Sequence, residues 1–138
     1  MLPIRKLVQE PGSMPRLEQP GDGLQFAGLK PTALTTVGAG TLLAALLSTG
    51  LLLRTGPGGA YADTIDTGAN LDAAYPGLVV GDTIALYYSN SVAFASTITA
   101  AAGVTLRTAA ANNVIAASTG RMLLLIKTGT ATYDLYVI

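Results

Sequence analysis

From residue 83 to residue 88 the chain alternates strictly, with Ile84, Leu86 and Tyr88 on one face and Thr83, Ala85 and Tyr87 on the other. That period of two predicts a strand. Asn90-Ser91 predicts a turn, after which Val92, Phe94, Ser96 and Ile98 alternate with Ala93, Ala95, Thr97 and Thr99. A shorter strand is predicted over 104–106, following Gly103, and Asn112-Asn113 marks another reversal. Residues 122–127 and 131–138 flank Thr128-Gly129-Thr130, which predicts a terminal hairpin with a three-residue loop.

The first half reads differently. No charged residue occurs from Pro31 to Leu53, a length that raises the question of a bilayer span. A spanning helix needs about twenty predominantly apolar residues. Here Pro31, Thr32, Thr35, Thr36, Gly38 and Gly40 precede the apolar run, and Ser48-Thr49-Gly50 interrupts it. Residues 42–47 therefore predict a short buried helix, with Thr41 as N-cap and Gly50 just past its end. Leu51-Leu52-Leu53 starts a strand, stopped by Gly56-Pro57-Gly58-Gly59. Residues 69–75 predict one or two helical turns, ended by Pro76-Gly77. A signal peptide is not expected either, because Gln9, Glu10 and Pro11 end the apolar run that Leu7 and Val8 begin. The expectation is a soluble chain, neither inserted nor secreted by that route.

Short strands at roughly ten-residue spacing, with turn chemistry between them, predict an all-β domain: an antiparallel sandwich or jelly roll over residues 32–138, with one or two short helices. Residues 1–31 are set apart by five of the seven prolines, which forbid an ordinary helix and deny a central strand its donors. A solvated tail is one reading of this segment. Ile4, Leu7, Val8, Leu17, Leu24 and Phe26 favour the other, an extended arm that docks on a different protein. Residues 122–126 add a further demand. Leu123 and Leu125 are as apolar as Met122, Leu124 and Ile126, whereas a sheet facing water shows one polar face. A second covering is implied, from this chain or from another subunit.

Charge sharpens that picture. The chain has 138 residues, eight basic and eight acidic, and charged residues make up 12% of it, against roughly 25% in an average soluble protein. Seven of those sixteen charges lie in the first thirty residues. So few charges leave a free monomer poorly protected against association. Net charge is zero, which argues against a nucleic-acid surface. Cysteine and histidine are absent, so disulfides, thiolate chemistry, ordinary zinc sites and histidine-based triads are excluded.

The one stretch with catalytic pedigree is Asp66-Thr67-Gly68-Ala69. It resembles the Asp-Thr-Gly-Ala of retroviral-type aspartic proteases, in which two subunits share a proton between paired carboxylates. No apolar strand directly precedes it, and Leu78-Val79-Val80-Gly81 follows too soon to leave room for a flap. Capping of the next helix by Asp66 or Thr67 explains the motif more simply. Gly38-Ala39-Gly40 begins a dinucleotide-type pattern without a βαβ frame. Asp63, Asp66, Asp72 and Asp82 match no calcium-loop spacing. Tyr87 with Tyr88, or Tyr133 with Tyr136, suggests a sugar-stacking platform, although paired strand tyrosines are more often core or interface. Nothing assembles a nucleophile, a base and an orienter. The expectation is a protein that is not an enzyme, with no cofactor and no metal.

Residues 50–138 resemble the small capsid decoration, or cement, proteins of tailed bacteriophages. The resemblance is carried by Arg-Thr-Gly-Pro at 54–57, Asp-Thr-Ile-Asp-Thr at 63–67, the Ala-rich helix before Pro76-Gly77, Gly81-Asp82-Thr83, and Ala-Gly-Val-Thr-Leu at 102–106. It implies a β-rich structural protein on the outer surface of an icosahedral virion, assembled in the host cytoplasm. Its partners would be the major capsid protein and itself, as a homodimer or homotrimer, with neither nucleic acid nor membrane. A β-rich adhesion or fibre-tip module binding a surface glycan is the alternative reading, and a protease built on Asp66-Thr67-Gly68 a remote one.

Overall fold

A computed structural model of the chain describes residues 31–109 and 112–138. Ten strands occur in the order β1 (Thr32–Leu34), β2 (Gly40–Leu42), β3 (Leu51–Arg54), β4 (Tyr61–Ile65), β5 (Thr83–Asn90), β6 (Ser96–Ala100), β7 (Val104–Leu106), β8 (Val114–Ile115), β9 (Thr119–Gly129) and β10 (Thr132–Val137). A 3₁₀ helix, Ala44–Thr49, lies between β2 and β3, and α1, Gly68–Ala74, between β4 and β5. The all-β expectation holds in this coarse form.

The strands form a six-stranded sheet in the order β1-β3-β5-β9-β10-β7 and a four-stranded sheet in the order β2-β4-β6-β8. From β1 to β9 every consecutive strand changes sheet; only β9 and β10 follow one another within a sheet. After one full turn the chain returns to the same sheet running in the same direction. Thr32 therefore pairs in parallel with Leu52, and Leu52 in parallel with Tyr88. In the second sheet Gly40 pairs in parallel with Asp63, and Tyr61 with Ser96. The expected antiparallel arrangement is thus corrected to two mixed sheets. The Gly56-Pro57 segment carries the chain between sheets instead of closing a hairpin, and the turn expected at Asn90-Ser91 falls one residue on, because Asn90 is still in β5 and the bend is at 92–94. Antiparallel pairing is confined to β9 with β5 and β10, and β8 with β6.

Buried side chains of both sheets form one apolar cluster. It includes Leu42, Leu52, Ile65, Leu86, Ile98, Leu123, Leu125 and Leu135, with Leu47 from the 3₁₀ helix and Leu71 from α1. Burying a leucine or isoleucine side chain contributes about 1.5–3 kcal/mol, so this cluster is the main stabilising feature. The alternation read for residues 83–88 has the right phase. Leu86 and Tyr88 are buried, Ile84 is partly so, and Thr83, Ala85 and Tyr87 face outward.

Several local expectations need correction. Thr41 and Leu42 belong to β2, paired with Thr64 and Ile65, so Thr41 caps no helix. The helix starts later, from Leu43, which has no side-chain cap of its own. Gly50 does end it, in the left-handed region at φ 78. The strand expected from Val92 begins only at Ser96. Asn90 intervenes: its Oδ1 accepts the Val92 N–H at 3.1 Å, and its Nδ2 donates to the Phe94 carbonyl at 2.9 Å. Those bonds hold residues 91–95 as a loop. The terminal hairpin exists, but Thr130 and Ala131 alone separate its strands, and Ala131 takes the left-handed conformation at φ 53.

Candidate functional site

Alternation along β3 turns Leu52 and Arg54 inward, and alternation along β4 does the same for Tyr61, Asp63 and Ile65. An arginine and an aspartate therefore meet between the sheets with both side chains fully inaccessible. Arg54 Nε donates to Asp63 Oδ2 at 2.6 Å and Nη2 to Oδ1 at 3.0 Å, a bidentate pair. The remaining guanidinium protons go to the carbonyls of Thr36 at 2.7 Å, Thr55 at 2.8 Å and Gly38. Arg54 also stacks 4.8 Å from the centre of the Tyr61 ring.

Asp63 is equally engaged. Its Oδ1 accepts the Gly40 N–H at 2.9 Å and its Oδ2 the Tyr88 hydroxyl at 2.7 Å. From Tyr88 the network continues to Ser96 Oγ at 2.9 Å, and from Tyr61 to Asn90 Oδ1 at 2.6 Å. Asn90 Nδ2 then reaches the carbonyls of Ile115 and Ala116. Burial works to lower the Arg54 pKa, but the bonds and field of Asp63 outweigh it and hold the guanidinium charged. Burial pushes the Tyr88 phenol far up, reinforced by its bond to Asp63, so it stays protonated as a donor. Every strong polar atom here has a protein partner, and the network ties β3, β4, β5, β6 and the 34–40 segment together. Its chemistry is that of a structural clasp.

The glycines of Gly38-Ala39-Gly40 belong to the same clasp. Gly38 supplies a carbonyl and Gly40 an N–H. A Cβ on Gly40 would sit 3.1 Å from Asp63 Oδ1 and 3.2 Å from Arg54 Nη2, so close backbone approach explains this glycine. Arg54 and Asp63 lie in two of the segments singled out in the sequence, 54–57 and 63–67. Sequence reasoning noticed both segments without predicting that they pair.

The other aspartates are committed locally. Asp66 Oδ2 accepts the Ala44 N–H at 2.9 Å, capping the 3₁₀ helix from a distance in sequence. Its Oδ1 accepts from Thr67 N at 2.8 Å and Asn70 Nδ2 at 2.7 Å. Desolvation pushes the Asp66 carboxyl up, and these three bonds together outweigh it and hold it below the ordinary value. Thr67 caps α1 through Asn70 N at 3.2 Å. The Asp-Thr-Gly motif is thus a double helix cap, with Gly68 placed where a Cβ would run into the Ala131 carbonyl. Asp72 accepts from Lys127 Nζ, from the Tyr133 hydroxyl at 2.7 Å and from Ala131 N at 2.7 Å, clamping α1 to the terminal hairpin. The Lys127 ammonium, with Tyr133 and Ala131, holds the Asp72 carboxyl down to about 2. Asp82 Oδ2 closes a turn onto Val79 N at 2.9 Å. Among the described residues no three His, Cys, Asp or Glu side chains gather as a metal site.

The tyrosine pairs also separate. Tyr87 faces out and Tyr88 in; Tyr133 is buried and Tyr136 lies on the other side of β10. Neither pair forms a stacking platform. Ile4, Leu7, Val8, Leu17, Leu24 and Phe26 lie outside the described residues. No helix among the described residues is long and apolar enough to cross a membrane.

The outer faces of the two sheets differ. The four-stranded sheet presents Thr41, Thr64, Thr97 and Thr99, with Thr64 and Thr99 hydroxyls 2.8 Å apart across the β4–β6 pair. The six-stranded sheet presents Leu51, Leu53, Met122, Leu124 and Ile126, all half-buried, and the exposed Tyr87. Asp134, beside Ile126 on that face, pairs with Arg107 at 3.0 Å. No family model, no curated protein and no solved structure matches the chain.

Proposed function

We propose that this chain is a structural virion protein that binds the outside of an icosahedral phage capsid, bridges neighbouring major capsid protein subunits and so stabilises the shell. The observation that carries the reading is where the polar atoms go. Asp63, Asp66, Asp72 and Asp82 are all spent on holding the fold, while much of the surface is apolar and nearly uncharged. That division suits a rigid binding body better than a site of chemistry. The resemblance of residues 50–138 to decoration proteins supports the same reading and supplies the partner class.

On this reading the two sheets form a jelly-roll-like sandwich that serves as the foot, and residues 1–31 form the docking arm. Ile4, Leu7, Val8, Leu17, Leu24 and Phe26 insert into the capsid surface. A protein that binds the assembled lattice but not its separated parts stabilises the lattice by mass action. An arm and a foot on each of many copies add avidity through effective concentration. The protein is assembled in the host cytoplasm and ends on the outer capsid surface.

The test is co-sedimentation of the purified full chain with undecorated phage shells, followed by electron microscopy. The expected result is a saturable decoration at a fixed ratio to the major capsid protein. Combined Leu7→Glu, Leu24→Glu and Phe26→Glu changes in the full chain abolish decoration and leave the circular dichroism unchanged. Shells that stay bare with the unmodified chain refute the proposal, and full occupancy by the triple variant refutes the role of the arm.

A further inference from the structure

We infer that the folded body meets the capsid with the end at which β1 begins, and that Leu43, Val79 and Val80 are the apolar contact there. The inference rests on the proposed capsid-binding function and names the part of the body that touches the major capsid protein. Packing between the sheets shows where residues 1–30 join the body. A Cβ on Gly40 would lie 3.1 Å from Leu34 Cδ2, so the start of β2 faces the end of β1. Two residues further towards the same end, Thr32 lies opposite Leu42. Pro31 is then level with Leu43, one sheet spacing of about 10 Å away.

The same end carries exposed aliphatic side chains. Leu43 is 51% exposed, Val79 64% and Val80 65%. Tyr75 joins the two segments that bear them: its hydroxyl donates to the Ala44 carbonyl, and its own carbonyl accepts the Leu78 N–H at 3.1 Å. Ala74 and Pro76 on either side of it are exposed as well. The turn under the valines is braced from three directions. Asp82 Oδ2 accepts the Val79 N–H at 2.9 Å, and the Asp82 N–H donates to the Val79 carbonyl at 3.0 Å. Gly81, in the left-handed region at φ 99, donates to the Lys127 carbonyl at 2.9 Å. Gly81 and Asp82 shape this turn, and the valine side chains add nothing to it. Two apolar groups held in water at the tip of a fixed turn are a preorganised contact, with little ordering left to be done on binding.

Chain connection and charge indicate the occupant. Residues 1–30 leave the body at Pro31, beside Leu43, so a protein held by that segment is brought to this end at high effective concentration. On the proposed function that protein is the major capsid protein. The described charges nearby are spent internally, Asp82 on its own turn and Asp72 on Lys127 and the hairpin. Nucleic acid and anionic lipid are held by clustered cations, whereas Leu43, Val79 and Val80 fit an apolar patch of protein surface. Arm and body then dock side by side on one capsid surface.

The test titrates undecorated phage shells with full-length chains. Combined Val79→Asp and Val80→Asp changes are expected to raise the concentration for half-occupancy at least about tenfold, with the urea midpoint unchanged. Val37→Asp is the control. Val37 is 81% exposed on the β1–β2 connection at the opposite end, and its change is expected to leave occupancy as it was. The chain has no cysteine, so Val80→Cys carries a single fluorophore, expected to be open to iodide quenching in the free chain and shielded on shells. Decoration by the unmodified chain with equal occupancy by the double variant overturns this inference alone. Equal weakening by Val37→Asp overturns it too. A fluorophore already shielded in the free chain would assign this end to residues 1–30 or to a second copy, and one still quenched on shells would place it away from the capsid; either result overturns the inference. Shells left bare by the unmodified chain refute the proposed function and this inference together.

Discussion

Arg54 carries five N–H groups, and all five find acceptors: two on Asp63 and one each on Thr36, Gly38 and Thr55. A buried ion pair left half-made costs about 3–5 kcal/mol, a large part of the roughly 5–15 kcal/mol that holds a domain folded. Asp63→Ala is therefore expected to unfold at much lower urea than the unmodified chain. Replacing both partners, as Arg54→Met with Asp63→Leu, often restores stability in simpler buried pairs. Here it would strand three backbone carbonyls, the Gly40 N–H and the Tyr88 hydroxyl, each costing about 1–3 kcal/mol when buried without a partner. The double variant is expected to be no more stable than Asp63→Ala, as compared by urea midpoints. Full recovery in the double variant would show that the carbonyls find water and that the clasp is a plain ion pair.

At the scale of elements, the helices are held by groups remote in sequence. Asp66 lies 22 residues from the Ala44 N–H that it caps, and Asp72 lies 59 residues from the Ala131 N–H that it receives. The Asp72 clamp fixes a pH dependence. Its folded pKa, about 2, lies below the ordinary 3.8. Its stabilisation is thus complete above the unfolded value and is lost as pH falls through the folded one. Urea midpoints of the unmodified chain and Asp72→Asn should differ by a constant amount at higher pH, and the gap should close as pH falls towards about 2. A gap unchanged in acid would mean that the ionised carboxylate is not what holds the clamp. Gly68→Ala tests the same junction sterically. Its Cβ would meet the Ala131 carbonyl, so a loss of about 1–3 kcal/mol, the usual range for overpacking, is expected by thermal or urea unfolding. The alternation of residues 83–88 and the end of the 3₁₀ helix at Gly50 were legible in the chain because both are local. The 3₁₀ helix start was not, because its cap, Asp66, comes from the segment that follows β4.

The whole molecule is a winding between two sheets, and that governs how it forms. Each parallel neighbour is reached only after the chain has visited the other sheet, so loop-closure entropy is incurred before the pairing contacts form. Proteins dominated by such non-local pairings fold in milliseconds to seconds. Stopped-flow refolding by tyrosine fluorescence is expected in or above that range, and a microsecond phase carrying the full amplitude would contradict the topology. The β-rich class was legible from strand length and turn chemistry. The sheet partners were not. A glycine-proline turn reads the same whether it closes a hairpin or delivers the chain to an opposite sheet.

Alternation, turn residues and the scarcity of charge are properties of near neighbours and of composition, so they set the β-rich class, the phase of β5 and an outer face unsuited to water. Which strands lie together is a matter of distant residues, and the side-chain period does not distinguish a parallel partner from an antiparallel one. Parallel winding alone brought Arg54 over Asp63. It turned a catalytic-looking Asp-Thr-Gly into a pair of helix caps, while antiparallel pairing of β5 with β9 set Tyr87 beside Met122.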